Sequence, residues 1–486
     1  MKKFELVFIP IPGSGHLASM VEMANTLLAR DHRLAVTMIA FKLPLDPKAN
    51  EYIQSLSAQS LTNNNSIQFI VLPELPDIPN NGNRFFLEVV LESYKPHVKQ
   101  ALISFLTTST NHLAGFVLDS FCSTMVDVAN EFKVPSYVYY TSCAAYLAFS
   151  LHLEQLYTQD NSSNEVIQQL KDSDVNLSVP SLVNQVPSKT IPSVFFINNF
   201  AVWFHEQAKR IRFDVKGVLI NTFEELESHA LSSLSTDSSL QLPPLYSVGP
   251  VLHLNKNTET MDDGDVLKWL DDQPLSSVVF LCFGSRGAFK KDQVEEIARA
   301  LERSRVRFIW SLRRPGNVFQ SSIDYTNFED ILPKGFLDRT QNIGRVISWA
   351  PQVEILGHPA TGGFVSHCGW NSTLESLWHG VPMATWPMYA EQQFNAFDLV
   401  VELGLAVEIK ISYCIELKEQ ANPIIMAEEI ERGIRKLMDN NKNEIRKKVK
   451  TKSEECRKSV IEGGSSFISL GKFIDDVLSN STTGGN

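Results

Sequence analysis

His16 stands in the turn Pro12-Gly13-Ser14-Gly15-His16-Leu17-Ala18, directly after the apolar run Glu5 to Pro10. An imidazole titrates near neutrality and can accept a proton from a hydroxyl. Such a base works better when a carboxylate holds its other nitrogen and steadies the imidazolium as it forms. Asp119 closes a second apolar run, Ala114 to Leu118. If both runs are strands of one parallel sheet, their carboxyl ends bring the two residues to the edge where such sheets bind ligands. Taken singly, the histidine would be a surface residue and the aspartate a turn or a helix cap.

The turn also fits G-x-G-x-x-A, the dinucleotide fingerprint in its alanine variant. That fingerprint needs an acidic residue roughly 20 positions on, at the end of the second strand, to hold ribose hydroxyls. The second strand here ends Ile39-Ala40-Phe41-Lys42, without a carboxylate. A nicotinamide-dependent oxidoreductase is therefore the second choice. Farther on, Val278 to Cys282 runs into Phe283-Gly284-Ser285-Arg286-Gly287, again a strand followed by glycines and a hydroxyl, which suggests another phosphate contact. No GxxxxGK[ST] loop occurs, so ATP-type phosphoryl chemistry has little support.

The densest polar stretch is Trp349 to Gln392, WAPQVEILGHPATGGFVSHCGWNSTLESLWHGVPMATWPMYAEQ. Within it Gly363 to Ser366 reads as a strand, and His367-Cys368-Gly369-Trp370-Asn371-Ser372 leads into a helix over Thr373 to His379. Ser372 and Glu375 have capping-box spacing, so they could serve only to start that helix. A helix N-terminus flanked by His367, Asn371 and Ser372 is equally an anion site. Metal binding by His367 and Cys368 is not expected, because neighbours at a strand end face opposite ways and no second ligand pair is suitably spaced.

The elements that position these groups alternate. Strand-like runs (Glu5 to Pro10, Leu34 to Phe41, Leu113 to Leu118, Ser136 to Thr141, Val218 to Asn221) and helical spacing (Leu17 to Arg30, Ser123 to Phe132) describe βαβ units, hence a parallel α/β sheet. Gln159 to Pro192 is polar and reads as a surface loop. Proline, glycine and polar residues from Leu242 to Asp265 read as a linker, after which the alternation resumes: strands at Ser277 to Phe283, Val306 to Leu312 and Val346 to Trp349, helices at Asp292 to Arg303 and Glu391 to Leu403, a strand at Ala406 to Ile411, and charged helices between Ala427 and Ile461. The 486 residues thus divide into an N-terminal Rossmann-like domain (1–245), a linker (246–265), a second Rossmann-like domain (266–465) and a last helix (466–486).

Composition narrows the function. With 44 basic against 55 acidic residues and a net charge of −11, nucleic acid is not the expected partner. The uncharged stretch Val134 to Leu153 is interrupted by Pro135 and small polar residues, so it reads as a buried strand and helix and no integral membrane segment is expected. The N-terminal MKKFELVFIP reads as a first strand and not as a secretion signal, and six scattered cysteines form no CxxC pair, so free thiols in the cytoplasm are expected.

WAPQ, HCGWNSTLES and WP.YAEQ, at their spacing in Trp349 to Gln392, resemble the signature box of plant secondary-metabolite UDP-glycosyltransferases, glycosyltransferase family 1. The resemblance extends over nearly the whole chain and looks closest to flavonoid and triterpene glucosyltransferases. It implies the GT-B fold: two Rossmann-like domains facing across a cleft, acceptor in the first, UDP-sugar in the second, and a final helix crossing back. It further implies that Trp349 stacks on uracil, that Ala350 and Gln352 reach the base, and that Glu375 holds the ribose hydroxyls. His367, Asn371, Ser372, Ser285, Ser14 and Gly15 would hold the diphosphate, and Trp370, Glu391, Gln392 and Thr141 the sugar. His16 would be the base and Asp119 its partner in an inverting, metal-independent transfer with UDP-glucose as co-substrate and no other cofactor. Gln392 with Trp370 is the pattern of glucose users, since galactose users in the family tend to carry histidine at the last position. Arg286 departs from the family, where a small or apolar residue usually follows the loop serine. An acceptor pocket built from Phe85, Phe121, Tyr146, Phe200 and Ala390 would suit a lipophilic aglycone. A monomer is expected.

Overall fold

The computed structural model describes residues 2–43, 47–60, 67–75, 78, 84–159, 165–171, 173–254, 263–316, 322–414, 423–439 and 444–483. Two compact units emerge: Met1–Val183 with Val194–His253 and Lys458–Asn486, and Asn184–Ser193 with Leu254–Arg457. Each is built on one parallel sheet flanked by helices, the Rossmann-like plan expected of both.

In the first unit seven strands line up in the order Gln68–Val71, Leu34–Ala40, Phe4–Ile9, His112–Asp119, Ser136–Tyr140, Val218–Ile220, Leu245–Ser247. The order runs outward in both directions from the pair Phe4–Ile9 and His112–Asp119, whose ends meet as Phe8 opposite Val117 and Ile9 opposite Leu118. Crossover helices leave to opposite faces at such a switch point, which opens a crevice at the carboxyl ends of these two strands. The Gly13 turn and Asp119 therefore converge because of topology. Strands buried on both faces read as near-continuous apolar runs, which is why Glu5 to Pro10 showed no alternation.

The second unit repeats the plan with six strands: Gly344–Ile347, Arg307–Ser311, Val278–Cys282, Thr361–Ser366, Met383–Thr385, Ala406–Glu408. Its switch point lies between Val278–Cys282 and Thr361–Ser366, with Cys282 opposite Ser366. Val279, Leu281 and Val365 pack into one core layer while Val278, Phe280 and Phe364 pack into the other, the period-two alternation of a pleated strand.

Several elements differ from the sequence reading. Tyr246 and Ser247, read as the start of the linker, finish the last strand of the first sheet, and Asp263–Asp271 is already a helix; residues 255–262 lie outside the described residues. Gln159 to Pro192 is no plain loop: among its described residues it contains the helix Glu165–Leu170, which buries Ile167. A few apolar side chains inside a polar segment were enough to dock it. The helix expected from Ser123 is preceded by a 3₁₀ segment, Ser120–Met125, because the Asp119 carboxylate accepts the Phe121 N–H at 3.0 Å and tightens the turn. The last helix, Ser465–Thr483, begins one residue before the expected 466, and its Leu470, Phe473, Ile474 and Val477 lie in the core of the first unit. No disulfide joins the six cysteines, and none of the described helices is long and apolar enough to cross a membrane.

His205, in the helix Asn198–Phe213, is buried with its ring stacked 4.2 Å from Tyr157 and no hydrogen bond to either ring nitrogen. Burial lowers its pKa from 6.5 to about 4. In that interval the unfolded chain binds a proton that the folded chain does not, so acidification destabilises the fold. His205→Phe keeps the stacked ring and removes the proton site. The wild type is expected to lose about 2 kcal/mol more than this variant between pH 7.5 and 5, read as urea unfolding midpoints; equal losses would exclude His205 as an acid-labile group.

Candidate active site

At the switch point of the first sheet, Gly13 has extended angles, φ −138° and ψ 133°, and the helix Ser14–Arg30 begins at the next residue. His16 thus sits on the first helical turn and not on a loop as the glycine pattern suggested. Helical backbone fixes the direction of its side chain. Its Nδ1 lies 2.7 Å from Asp119 Oδ2, while Oδ1 of that carboxylate accepts the Phe121 N–H. Thr141 Oγ1 is 3.1 Å from the same Nδ1. The residue expected to hold a sugar hydroxyl is therefore beside the base.

Asp119 is fully buried whereas the His16 side chain is 33% exposed. A carboxylate shielded from water acts on the imidazole through a lower effective dielectric. The contact assigns the proton to Nδ1, which leaves the ring's lone pair on Nε2. Such an arrangement can take a proton from a hydroxyl and stabilise the cation that results.

An aromatic wall continues from this pair. The His16 and Phe121 rings are 5.4 Å apart, Phe121 stacks on Trp203 at 5.7 Å, and Phe85 lies 5.1 Å from both Trp203 and Phe200. Phe200 connects through Phe195 and Phe149 to Tyr146. Four of the five expected acceptor residues thus share one wall. Trp203, at its centre, was missed; it follows Phe200 by three positions on one helix, so the helical period was the signal that could have found it. Ala390 belongs to the second unit, in the left-handed region at φ 55° beside Glu391. Gln392 shapes that same turn, its carboxamide oxygen accepting the Met388 and Tyr389 N–H groups at 3.0 Å each.

In the second unit the strand Thr361–Ser366 delivers His367, and the helix Trp370–His379 starts from Gly369 as its cap. Ser372 and Glu375 therefore lie inside the helix and form no capping box. They are instead joined by Gln352, whose Nε2 donates to Ser372 Oγ at 2.8 Å and to Glu375 Oε2 at 2.6 Å. Three residues expected to serve base, phosphate and ribose form one network. Trp370 is buried, so a ligand would meet its backbone and not its ring.

His367 is buried and its Nδ1 has no hydrogen-bond partner; burial lowers its pKa to about 4, so the ring is neutral at pH 7. A neutral ring can offer an N–H to an anion without burying a charge of its own. Trp349 presents an indole 49% exposed, unusual for so large an apolar ring. Arg286 lies beside the partly buried Tyr389 phenol, whose pKa is raised by desolvation, an effect that the cation opposes.

The sequence model described as UDP-glucoronosyl and UDP-glucosyl transferase matches residues 5–419, most of the chain. This protein belongs to that glycosyltransferase family. As a UDP-glycosyltransferase it is 48% identical over 489 residues to a UDP-glucose flavonoid 3-O-glucosyltransferase of Fragaria ananassa, covering 98% of this chain and 99% of the relative. It is 47% identical over 472 residues to an anthocyanidin 3-O-glucosyltransferase of Manihot esculenta, covering 96% and 100%. Its structure is similar to that of a UGT transferase from Siraitia grosvenorii in complex with UDP, with TM-score 0.85, 52% identity, and 98% and 100% of the two chains covered. A Medicago truncatula UDP-glycosyltransferase complexed with UDP-glucose aligns with TM-score 0.84 and 40% identity over 98% of each chain.

Proposed function

We propose that this glycosyltransferase moves glucose from UDP-glucose to a hydroxyl of a lipophilic small molecule, a flavonoid, phenol or triterpene, giving a β-O-glucoside and UDP. The observation that carries the reading is the His16 and Asp119 pair at 2.7 Å, standing at the head of an aromatic wall. His16 Nε2 takes the acceptor proton, the oxygen attacks the anomeric carbon from the face opposite UDP, and the bond from that carbon to the diphosphate oxygen breaks with its electron pair leaving on UDP. One displacement inverts the α-linked sugar. Asp119 stabilises the imidazolium until the proton is released.

The donor-binding roles belong to the same proposal: Trp349 for the uracil face, Ala350 and Gln352 for its edge, Glu375 for the ribose, and Trp370, Glu391, Gln392 and Thr141 for the sugar. Ser14, Gly15, Ser285, His367, Asn371 and Ser372 would hold the diphosphate, with the dipole of the helix Trp370–His379 stabilising the leaving group in place of a metal ion. The enzyme acts as a cytoplasmic monomer. The names of the similar proteins from Fragaria ananassa and Manihot esculenta support glucose as the sugar and a flavonoid-like acceptor.

Incubation with UDP-glucose and a panel of flavonoids, simple phenols and triterpenes, followed by mass spectrometry and proton NMR, tests the reading. A hexose adduct with β anomeric coupling, formed undiminished in EDTA, is expected. An α-glucoside, a metal requirement, or a preference for UDP-galactose or UDP-xylose in competition would overturn the corresponding part.

A further inference from the structure

Arg313 follows the apolar strand Arg307–Ser311 and is 4% exposed. A buried guanidinium needs partners on every side to offset its lost hydration. Its Nε donates to Asp324 Oδ1 at 3.1 Å, but the Asp324 side chain is half in solvent and would form that ion pair as well with an exposed arginine. The remaining contacts turn inward. Nη1 donates to the Ser285 carbonyl at 3.4 Å, Nη2 donates to the Ser322 carbonyl, and the guanidinium carbon lies 5.2 Å from the centre of the Trp349 ring. Ser322 reinforces the hold, its N–H and hydroxyl both donating to the Ser285 carbonyl at 2.9 Å.

We propose that Arg313 is a positioning residue for the donor: it fixes the Trp349 indole and the Ser285 loop in one arrangement, so that the nucleoside and diphosphate ends of UDP meet a single preformed site. The inference rests on the reading of Trp349 and Ser285 as donor-binding residues. Arg313 itself touches no substrate. Its cation supports the indole, and its fork of N–H groups reaches the loop carbonyl. A lysine carries the charge but not the planar fork, so it could not serve both contacts at once.

The test compares Arg313→Met and Arg313→Lys with the wild type by titration calorimetry with UDP and by steady-state kinetics with UDP-glucose. Both variants are expected to raise the UDP Kd and the KM for UDP-glucose by about tenfold while kcat stays within about threefold. In the Arg313→Met background, Trp349→Ala should cost less affinity than it costs in the wild type, because the supported platform is already lost. Asp324→Asn, which weakens only the exposed ion pair, should leave KM within about twofold. If Arg313→Lys keeps wild-type KM while Trp349→Ala raises it, the positioning role is overturned and the donor reading stands. If Trp349→Ala and Ser285→Ala both leave UDP affinity unchanged, the donor reading fails instead. An effect of Asp324→Asn equal to that of Arg313→Met would reduce Arg313 to a tether of its own hairpin.

Discussion

His16→Ala is expected to lower kcat by about 10²–10⁴ while the UDP Kd stays within about threefold, the signature of a lost general base. The alanine removes the proposed base, which stands beside the aromatic wall at Phe121. It leaves the second unit's network of Gln352, Ser372 and Glu375 untouched. Asp119→Asn is the sharper companion. The asparagine amide can donate to Nδ1, which turns the imidazole over to the tautomer with its proton on Nε2, and the ring then has no lone pair for the acceptor. A loss on the order of 10² in kcat is expected even though the hydrogen bond survives. Single-turnover product formation read by mass spectrometry, with UDP affinity from calorimetry, separates the effects. Full turnover in His16→Ala would remove the base assignment, and UDP binding lost in step with turnover would make His16 a donor contact.

The second large effect concerns space around His367. A Cβ built on Gly369 would stand 2.5 Å from His367 Nε2, and one on Gly284 would stand 2.6 Å from the same atom. Gly284 also has φ +74°, where a side chain costs about 1–2 kcal/mol more, whereas Gly369 has φ −62°, which any residue adopts. Gly369→Ala is therefore the cleaner probe of crowding. The buried ring has little room to retreat, so the substitution should destabilise the second unit by about 1–3 kcal/mol and raise the KM for UDP-glucose by at least tenfold. Gly369→Ala with His367→Ala should regain most of the stability, because the clash partner is gone, without regaining donor affinity. Chemical unfolding of the two single variants and the double variant reads the stability part, and steady-state kinetics the other. Additive losses in the double variant would mean that the glycine and the ring act separately.

Much of this arrangement could be read from residue order. Apolar runs ending in glycines or an acid marked the strand ends at Ile9, Asp119, Cys282 and Ser366, and the parallel rule put them on the edges where ligands bind. The His16 and Asp119 pairing followed from that, because each residue ends or follows a strand adjacent to the switch point. What stayed hidden depended on which residue faces which. The spacing of Ser372 and Glu375 fits a capping box, yet the helix begins two residues before Ser372, and Gln352 claims both side chains. Trp203 and Arg313 gave weak signals because an aromatic on an amphipathic helix and an arginine after a strand are ordinary on their own. Their roles come from neighbours more than a hundred residues away in one case and from a folded hairpin in the other.

The helix Ser465–Thr483 adds a matter of timing. Its Leu470, Phe473, Ile474 and Val477 complete the core around the first strands of the chain, with Asn480 reaching the Tyr137 hydroxyl at 3.1 Å. A ribosome adding roughly 5–20 residues per second needs on the order of 10–50 s to make everything between His253 and that helix. For that whole interval the nascent first unit carries an open apolar groove, which the late-made helix closes. A nonsense codon before Ser465 would leave the groove open for good, so messages truncated there should yield chaperone-bound or degraded chains and no inactive but folded enzyme.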